Sequence, residues 1–245
     1  MACFLNENRK KNRYLVVARV GDSSLHHQWL TPSQYKNFDL YLEYYGDQNG
    51  RYKEDCDYYS QGKATKWPRL YQLIKTEAPR IFQYDAIWLP DDDVSINCEQ
   101  IERMFDLFLQ HNLMLAQPGL TLDSHLNHII TLRKPQYVMR YTNFVECMAP
   151  VFSSQALQIC WQTFNKSRTG WGLDYIWPKL LGDPSDKIAI MDAIPMKHTR
   201  KSGHGTLYSD TGLSPELIGP IELLALTAMY QIDFLTFEQK EYGRI

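Results

Sequence analysis

The chain has 245 residues, of which 44% are hydrophobic and 22% are charged, and this is enough for a large α/β domain with a sizeable core. The 26 basic residues nearly balance the 28 acidic ones, and the net charge of -2 excludes an electrostatic case for nucleic-acid binding. The five cysteines are widely spaced, odd in number and without a C-x-x-C pair, which argues against structural zinc and favours reduced thiols.

The sequence shows no targeting or membrane-spanning pattern. No apolar run follows the basic residues near Met1, and the longest apolar stretch, Ile221–Tyr230, is about half of the roughly 20 residues that a membrane span needs. We therefore expect a cytoplasmic protein without a transmembrane segment.

The first half of the chain alternates between predicted strands and a predicted helix. The run Tyr14–Val20, rich in β-branched residues, predicts the first strand, and Phe38–Tyr45 predicts the second. A helical pattern begins at Pro68, which suits a first turn, and we expect Pro79 to end it. The apolar run Ala86–Leu89 predicts the next strand, which leads directly into three aspartates.

Capping signals and apolar runs predict the elements of the second half. Asn97 followed by Gln100 is a capping-box signature, and apolar residues at helical spacing come after it. Leu113–Pro118 predicts a short strand, and Ser153 is a candidate cap for another helix. Lys187–Ala193 predicts a late strand.

The ends of the chain and its domain organisation follow from the same patterns. Ser214–Pro215 suits a helix start, so residues 214–245 are expected to form a C-terminal helical extension, which Pro220 divides. Residues 1–13 are expected to be a flexible N-terminus. No repeat or linker divides the chain, so we predict a single α/β domain over 1–245 with a central, mostly parallel sheet flanked by helices.

Acidic residues follow three of the predicted strands. Gly21–Asp22, Gly46–Asp47 and Asp91–Asp93 all stand at predicted carboxyl ends, where open α/β sheets bind their ligands. Three acidic strand ends on one rim favour a polar or metal-assisted site there.

The aspartate triplet has a D-x-D arrangement. Alternate side chains of an extended segment point the same way, so Asp91 and Asp93 are expected to converge while Asp92 points elsewhere. Oxygen ligands of this kind suit Mg²⁺ or Mn²⁺, whose charge would offset the repulsion between carboxylates. The alternatives are a solvated turn, or acids that favour the positive end of the helix after Asn97.

A second cluster, Thr169–Trp177, has the sequence TGWGLDYIW. Gly170 and Gly172 permit an unusual backbone path, and Trp171 offers a flat apolar face for a sugar ring. Asp174 is a candidate base for the proton of an acceptor hydroxyl. The alternative is a loop anchored by a buried tryptophan, with Asp174 as a helix cap.

The segment MKHTRKSGHG follows the late strand and is rich in basic residues. His198 is a candidate third metal ligand, and Arg200 and Lys201 are candidate contacts for phosphate oxygens. A lone histidine beside a loop is more often a polar surface residue, and the signal at His204 is weaker still. The pair His26–His27 is expected to be solvated.

Two enzyme classes place D-x-D after a strand. In phosphatases of the haloacid dehalogenase type the first aspartate, here Asp91, is a nucleophile. Such enzymes also need a lysine and a second acidic pair, whereas the late strand offers only Asp192, and Pro90 stiffens the backbone just before the nucleophile. The other class is the nucleotide-sugar glycosyltransferases of GT-A architecture, in which D-x-D holds a divalent ion against the diphosphate. Transfer of a sugar to a hydroxyl needs a metal ion to neutralise the diphosphate, a base to accept the hydroxyl proton, and alignment of the two reactants. Asp174 would be the base.

Several motifs together resemble a known family. RYTNFVECMAPVFSSQAL, TGWGLDYIW and KIAIMDAIPMKH are similar in order and spacing to the domain of unknown function 707 family, and ATKWPRLYQL with YDAIWLPDDDV matches its earlier half. The similarity extends from about Tyr14 to about His198. That family in turn resembles GT-A glycosyltransferases, which implies a nucleotide-diphospho-sugar transferase fold.

The resemblance implies roles for particular residues. It assigns metal binding to Asp91, Asp93 and His198, and the role of catalytic base to Asp174. Such transferases often have two acids after the tryptophan–glycine pair, whereas here Asp174 stands alone, and the segment after His198 is more basic than the family leads one to expect. The residues implied to contact the nucleotide sugar are Arg19, Gly21, Asp22, Asp47, Lys66, Asp91, Asp92 and Trp171.

The leading functional prediction is a metal-dependent glycosyltransferase, inverting at the sugar, that uses Mn²⁺ or Mg²⁺ and a UDP- or GDP-type donor. The acceptor is expected to be a glycan or a lipid-linked molecule, which would hold the cytoplasmic enzyme at the membrane periphery. One alternative is a metal-dependent phosphohydrolase with Asp91 as nucleophile. Another is a non-catalytic carbohydrate-binding protein on a transferase scaffold, for which 16 tyrosines and 6 tryptophans would serve equally well.

Overall fold

The computed structural model describes residues 3–4, 12–32, 36–201, 203, 207–208, 212 and 214–245. Within these residues the strands are β1 Cys3–Phe4, β2 Tyr14–Val20, β3 Phe38–Tyr44, β4 Tyr58–Gln61, β5 Ala86–Trp88, β6 Val94–Ser95, β7 Leu115–Leu120, β8 Arg140–Thr142, β9 Val151–Ser153, β10 Ile188–His198 and β11 Glu241–Arg244. The α-helices with defined bounds are α1 His26–Trp29, α2 Lys66–Ile81, α3 Cys98–Gln110, α4 Ser154–Cys160, α5 Leu173–Leu180 and α6 Pro215–Met229. Short 3-10 helices cover Lys53–Asp55, Ile129–Thr131 and Trp161–Lys166.

One sheet contains these strands, in the order β1-β4-β3-β2-β5-β9-β7-β10-β8-β11, with β6 paired to β10 beside it. The strands β4, β3, β2 and β5 pair in parallel, and so do β7 and β10. Because β9 is antiparallel to both β5 and β7, the two parallel blocks run in the same direction. The predicted mostly parallel central sheet is therefore confirmed, and the carboxyl ends of β2, β3, β5 and β10 share one edge.

Apolar side chains cover both faces of this sheet. Along β2, Tyr14 and Val16 join one core, whereas Leu15 and Val17 join the other, as the strand period of two requires. Residues of α1 and α3 complete the first core, and residues of α2, α4 and α5 complete the second. Burial on both faces explains why the strand sequences are almost continuously apolar.

Two helix starts form as their sequences predict. The Asn97 side chain accepts a hydrogen bond from the Gln100 backbone N–H at 2.9 Å, and the Gln100 side chain accepts one from the Asn97 N–H at 2.9 Å. This is a complete capping box at the start of α3. The Ser153 hydroxyl accepts a hydrogen bond from the Ala156 N–H at 3.1 Å and caps α4.

Two prolines do not break their helices, contrary to prediction. Pro79 lies inside α2 and Pro220 lies inside α6. A proline removes one backbone hydrogen bond and favours a kink. Because α2 ends at Ile81, the backbone hydrogen bond that Pro79 removes belongs to the last turn of the helix. In α6 the buried Leu223 and Leu226 hold the residues after the proline against the core.

The bounds of other elements also differ from prediction. The late strand β10 extends to His198, beyond the predicted end at Ala193. The segment 214–245 is helical only in α6, and it ends in β11, which pairs antiparallel with β8. Of the N-terminal segment 1–13 that was expected to be flexible, residues 1–2 and 5–11 lie outside the described residues, and Cys3–Phe4 pairs with β4. None of the helices that the structure describes is both long and apolar enough to cross a membrane.

A buried ion pair ties the C-terminal strands to the sheet. Arg140 on β8 and Asp192 on β10 are both fully buried and form two hydrogen bonds, of 2.8 and 3.0 Å. The Arg140 Nη1 also donates to Glu241 of β11 at 2.6 Å, and its Nη2 donates to the Leu132 carbonyl at 2.7 Å. Removal of one member of this pair would leave the other charge buried and unpaired, which is costly in free energy of unfolding.

Replacement of Arg140 by methionine should therefore lower the free energy of unfolding by about 3–5 kcal/mol, because it leaves the Asp192 carboxylate buried without its cation. Urea denaturation followed by circular dichroism measures the change. As a control, Arg13→Ala removes an ion pair to Asp85 whose side chains are 70% and 44% exposed. This control should cost less than about 1 kcal/mol. Equal costs for the two variants would contradict this account of the pair.

Candidate active site

Pairing of β6 with β10 places the aspartate triplet beside His198. The triplet follows β5, and the next residues form β6, in which Val94 pairs with His198 and Ser95 with Lys197. The Asp93 carbonyl accepts hydrogen bonds from the backbone N–H of Thr199 at 3.0 Å and from its hydroxyl at 2.8 Å. The two segments that sequence analysis singled out separately therefore meet at the carboxyl edge of the sheet.

Asp93 and His198 face each other at a distance suited to a shared cation. Asp93 Oδ2 lies 3.5 Å from His198 Nε2. The Nδ1 of His198 lies 3.0 Å from the His125 carbonyl and donates to it, which turns Nε2 toward Asp93. The other oxygen, Asp93 Oδ1, is buried and accepts no hydrogen bond from any described residue. A buried carboxylate oxygen without a donor is suited to a metal ion.

The electrostatic state of this pair follows from its surroundings. Burial alone would raise the pKa of Asp93, but the hydrogen bond and charge of His198 and the charge of Arg200 outweigh it and lower that pKa. Burial alone would lower the pKa of His198, but the hydrogen bond and charges of Asp93 and Asp91 raise it to about 9. Without a bound metal, the pair is an imidazolium and a carboxylate at neutral pH.

Asp91 is held by a lysine, apart from the Asp93–His198 pair. The Lys66 ammonium donates to Asp91 Oδ1 at 2.7 Å and to the carbonyls of Cys147 and Met148 at 3.1 and 3.0 Å. Among the described residues, three candidate ligand atoms lie within 4.8 Å of one another only at a different place in the chain. By this distance criterion Asp91 is not grouped with Asp93 and His198, so the set of three metal ligands stays a prediction.

Asp92 points away from its neighbours, as the extended spacing predicts. Its Oδ2 accepts hydrogen bonds from the Gly21 N–H at 2.7 Å and from the Tyr45 hydroxyl at 3.1 Å. Its Oδ1 accepts from the Arg200 guanidinium, which also donates to Asp93 Oδ2 at 3.2 Å. The carboxylate of Asp92 thus joins the ends of β2 and β3 to the triplet. Lys66, Arg200 and protonated His198 together offset the charge of the three aspartates.

The second predicted cluster forms a tight loop that ends in α5. Gly170 and Gly172 both have positive φ, +91° and +93°. A Cβ on Gly170 would lie 2.4 Å from the Trp67 indole, so both the backbone conformation and the packing require glycine there. Trp171 is 39% exposed, and its ring lies so close to Gly219 of α6 that a Cβ there would meet it at 2.6 Å. Part of the indole therefore remains available to a ligand.

Asp174 lies in the first turn of α5 and is 4% exposed. Gly172 occupies the cap position, so the alternative role of Asp174 as the helix cap is wrong. Burial, with the charge of Glu146, raises the pKa of Asp174 to about 8. Asp174 Oδ1 and Glu146 Oε2 are both buried, and neither accepts a hydrogen bond from any described residue. Two carboxyl groups with unused oxygens are therefore directed at one space.

These groups line a cavity of about 450 Å³, which is within the range of ligand sites. The predicted residues that line it are Arg19, Lys66, Asp91, Asp92, Asp93, Trp171, Asp174 and His198. Arg200 and Lys201 line it as well.

Three residues predicted to contact the nucleotide lie elsewhere on the same edge. Gly21 packs against the Tyr45 ring and bonds to Asp92. The Asp22 carboxylate, 65% exposed, accepts a hydrogen bond from Tyr44 at 2.5 Å, and Asp47, 92% exposed, pairs with Lys63 at 2.9 Å. The strand ends meet as predicted, but these three residues do not line the cavity.

Sequence analysis missed several residues of the cavity wall, above all Glu146. Glu146 is 4% exposed, and its Oε1 accepts a hydrogen bond from Asn127 at 2.7 Å. It stands in the apolar run FVECMAP, where a lone acid among buried residues was the available signal. His128, Tyr175 and Tyr208 also line the cavity. Glu146 is thus a second buried acid near Asp174, contributed by a different segment of the chain.

Comparison with solved structures identifies the fold. The S. aureus TarS fragment 1–349 in complex with UDP-GlcNAc aligns with a TM-score of 0.59 at 12% identity, over 93% of this chain and 68% of that chain. A TarS crystal structure aligns with a TM-score of 0.57 at 10% identity, over 93% of this chain and 40% of that chain. This chain therefore spans less than half of the length of that longer TarS chain. The chain shares the fold of these structures, which is the predicted GT-A-like α/β fold. At such low identity the likeness shows the fold alone.

Sequence comparison gives a shorter match. The model of a family described as "Protein of unknown function (DUF707)" matches residues 140–214, which confirms the resemblance over that range. The matched range contains Glu146, Asp174, His198 and Arg200, whereas the aspartate triplet lies outside it. The range over which the sequence predicts a resemblance to this family is wider, since it begins at about Tyr14. No curated protein matches the chain.

Replacement of Asp174 by asparagine should change how stability depends on pH. The folded pKa of about 8 lies above the ordinary value of 3.8, so the wild-type protein loses stability as pH rises to about 8, because the unfolded chain has released this proton while the folded protein still holds it. Between pH 6 and pH 9 the wild type should lose about 2–3 kcal/mol relative to Asp174→Asn. Urea denaturation at pH 6 and at pH 9 measures this change in the free energy of unfolding. The control Asp186→Asn alters an exposed carboxylate and should track the wild type. Parallel pH curves for Asp174→Asn and the wild type would refute the assignment.

Proposed function

We propose that the protein is a metal-dependent glycosyltransferase that moves a sugar from a nucleoside-diphosphate donor to an acceptor hydroxyl. The observation that carries the proposal is the Asp93–His198 pair in the same cavity as the buried Asp174. The glycosyltransferase fold supports it, since a structure with that fold contains UDP-GlcNAc. We further propose a UDP- or GDP-type donor and a glycan or lipid-linked acceptor.

The residues that would hold the divalent cation, Mn²⁺ or Mg²⁺, are Asp93 and His198. When bound, such an ion would neutralise the leaving diphosphate. Asp93 Oδ1 offers an unused oxygen, and His198 offers Nε2 once it has lost its proton. Arg200 and Lys201 line the same cavity and would place further positive charge beside the phosphate oxygens. Lys66 holds Asp91 in this site.

Asp174 would take the proton of the acceptor hydroxyl. Its position at 4% exposure keeps bulk water from competing for that proton. A pKa of about 8 makes the carboxylate a stronger base than an exposed aspartate. Glu146 would act through Asp174, since its nearby charge raises the pKa of that group. Transfer with a single base on the side of the acceptor corresponds to inversion at the sugar.

The alternative functions have less support. A phosphohydrolase would need Asp91 as a free nucleophile, but Asp91 is paired with Lys66 at 2.7 Å. The additional acid considered for that class, Asp192, is bound by Arg140 and does not line the cavity. A non-catalytic carbohydrate-binding protein would have no use for the two buried carboxyl groups at Asp174 and Glu146, whose cost of burial points to chemistry.

Calorimetry with UDP and GDP, with and without Mn²⁺, tests the proposal. One of the two nucleotides should bind more tightly with Mn²⁺, and Asp93→Asn should abolish the metal-dependent part because it removes a metal ligand. Asp174→Asn should retain binding and lose turnover by about 10²–10⁴-fold, as expected for loss of a general base. Asp186→Asn should match the wild type in both respects. Absence of binding to either nucleotide, with or without metal, would refute the donor assignment.

The pH dependence of turnover tests the role of Glu146. In the wild type, kcat/KM should rise with pH toward the pKa of about 8 of Asp174, since the base must be deprotonated. Glu146→Gln removes the charge that raises this pKa, so the midpoint should move to lower pH. A purely structural role would reduce kcat/KM at all pH values and leave the midpoint in place, and that result would exclude the proposed coupling.

A further inference from the structure

A second group of potential metal ligands lies outside the cavity, at the carboxyl ends of β2 and β3. It consists of His26 and His27, in α1, and Asp55, in the 3-10 helix after β3. Sequence analysis predicted that both histidines are solvated, and this is wrong for His26, which is fully buried. His27 remains 59% exposed, and the Asp55 side chain is 30% exposed.

We infer that His26, His27 and Asp55 form a binding site for a zinc-type divalent transition-metal ion, separate from the proposed nucleotide site. Asp55 Oδ2 lies 3.2 Å from His26 Nε2 and 3.9 Å from His27 Nδ1, and all three donor atoms lie within 4.8 Å of one another. Zinc binds imidazole nitrogen and carboxylate oxygen at about 2.0–2.2 Å, so tetrahedral geometry spaces its ligands about 3.3–3.5 Å apart. The observed spacing therefore admits one ion between the three side chains.

Hydrogen bonding around His26 fixes the ring in the orientation that a ligand needs. Its Nδ1 lies 2.9 Å from the Ser24 hydroxyl, so Nδ1 can donate to that oxygen while Nε2 faces Asp55. Metal-binding histidines usually donate their second ring N–H to such a partner. Burial, partly opposed by the hydrogen bond to Asp55, lowers the pKa of His26, which favours the neutral imidazole that binds metal.

His27 places a second ring nitrogen near the Asp55 carboxylate. The Asp55 carboxylate oxygen lies 3.2 Å from His26 Nε2, within hydrogen-bond distance, whereas its 3.9 Å distance to His27 Nδ1 is too long for a hydrogen bond. The two imidazole rings lie 4.1 Å apart between centroids, and the Tyr52 ring packs edge-on against both. Two nitrogens thus lie near one carboxylate oxygen. Two nitrogen ligands and one oxygen suit zinc better than Mn²⁺ or Mg²⁺, with water as the fourth ligand.

A metal ion there would fasten two loops that flank the candidate active site. The segment before α1 is joined to the triplet, since the Leu25 N–H donates to the Asp92 carbonyl at 2.8 Å. The loop after β3 contacts the end of β2, since the Tyr52 hydroxyl donates to the Asp22 carbonyl at 2.9 Å. The ion would link these segments, and its role would be to stabilise this rim of the sheet.

Metal titration of the full chain tests the inference in an Asp93→Asn background, which removes a ligand of the other proposed site. After treatment with a chelator, this variant should bind one Zn²⁺ per chain by calorimetry. Co²⁺ should give the intense visible absorption of a tetrahedral site. His27→Ala and Asp55→Asn, each added to that background, should weaken Zn²⁺ affinity at least about tenfold, since loss of even an outer-shell partner costs 10–100-fold. His111→Ala, at the end of α3, is the control and should bind as tightly as the background variant.

Two results would overturn the inference. One is the absence of stoichiometric Zn²⁺ binding in the Asp93→Asn background. The other is unchanged affinity in either His27→Ala or Asp55→Asn, because both side chains are required as ligands. Circular dichroism in the presence of chelator checks that the variants are folded, and both substitutions alter partly exposed side chains, which the fold tolerates. Nucleotide binding is measured separately in the chain with Asp93 intact, so the outcome is independent of the proposed function.

Discussion

Mutual repulsion of three consecutive carboxylates is the constraint on which the arrangement of the site depends. Each aspartate is balanced by a different element: Lys66 at the start of α2 holds Asp91, Arg200 after β10 holds Asp92, and His198 at the end of β10 faces Asp93. These cations come from segments far apart in the chain, and each must reach the same sheet edge before the triplet can be buried there. The compensation therefore ties the local structure of the site to the overall topology.

The hydrogen bonds of the described residues satisfy Asp92 and pair Asp91 with a lysine, but they leave one oxygen of Asp93 without a donor. The same is true of Glu146 and Asp174, which line the same cavity. A folded protein seldom leaves buried carboxylate oxygens unsatisfied, so their concentration in one cavity indicates where a ligand binds.

Local patterns in the sequence were sufficient to predict several of the elements that position the site. The apolar run before the aspartates predicted a strand end, the two glycines around Trp171 predicted the unusual loop, and Asn97 predicted a helix start. Contacts between distant segments were not predictable, because no local pattern encodes them. The pairing of Val94 with His198 brings Asp93 and His198 together, and Glu146 reaches Asp174 from a different segment. Strand ends were predicted correctly at Asp22 and Asp47, but the direction of their side chains depends on neighbouring loops.

The most direct test of the central claim is a crystal structure with Mn²⁺ and the nucleoside diphosphate that binds best, with the metal located by its anomalous scattering. The account predicts one manganese ion bound by Asp93 and His198 and touching the diphosphate, while Asp91 keeps its contact with Lys66 and Asp92 its contact with Gly21. A diphosphate bound elsewhere, with Asp93 still paired only to Arg200 and His198, would contradict it.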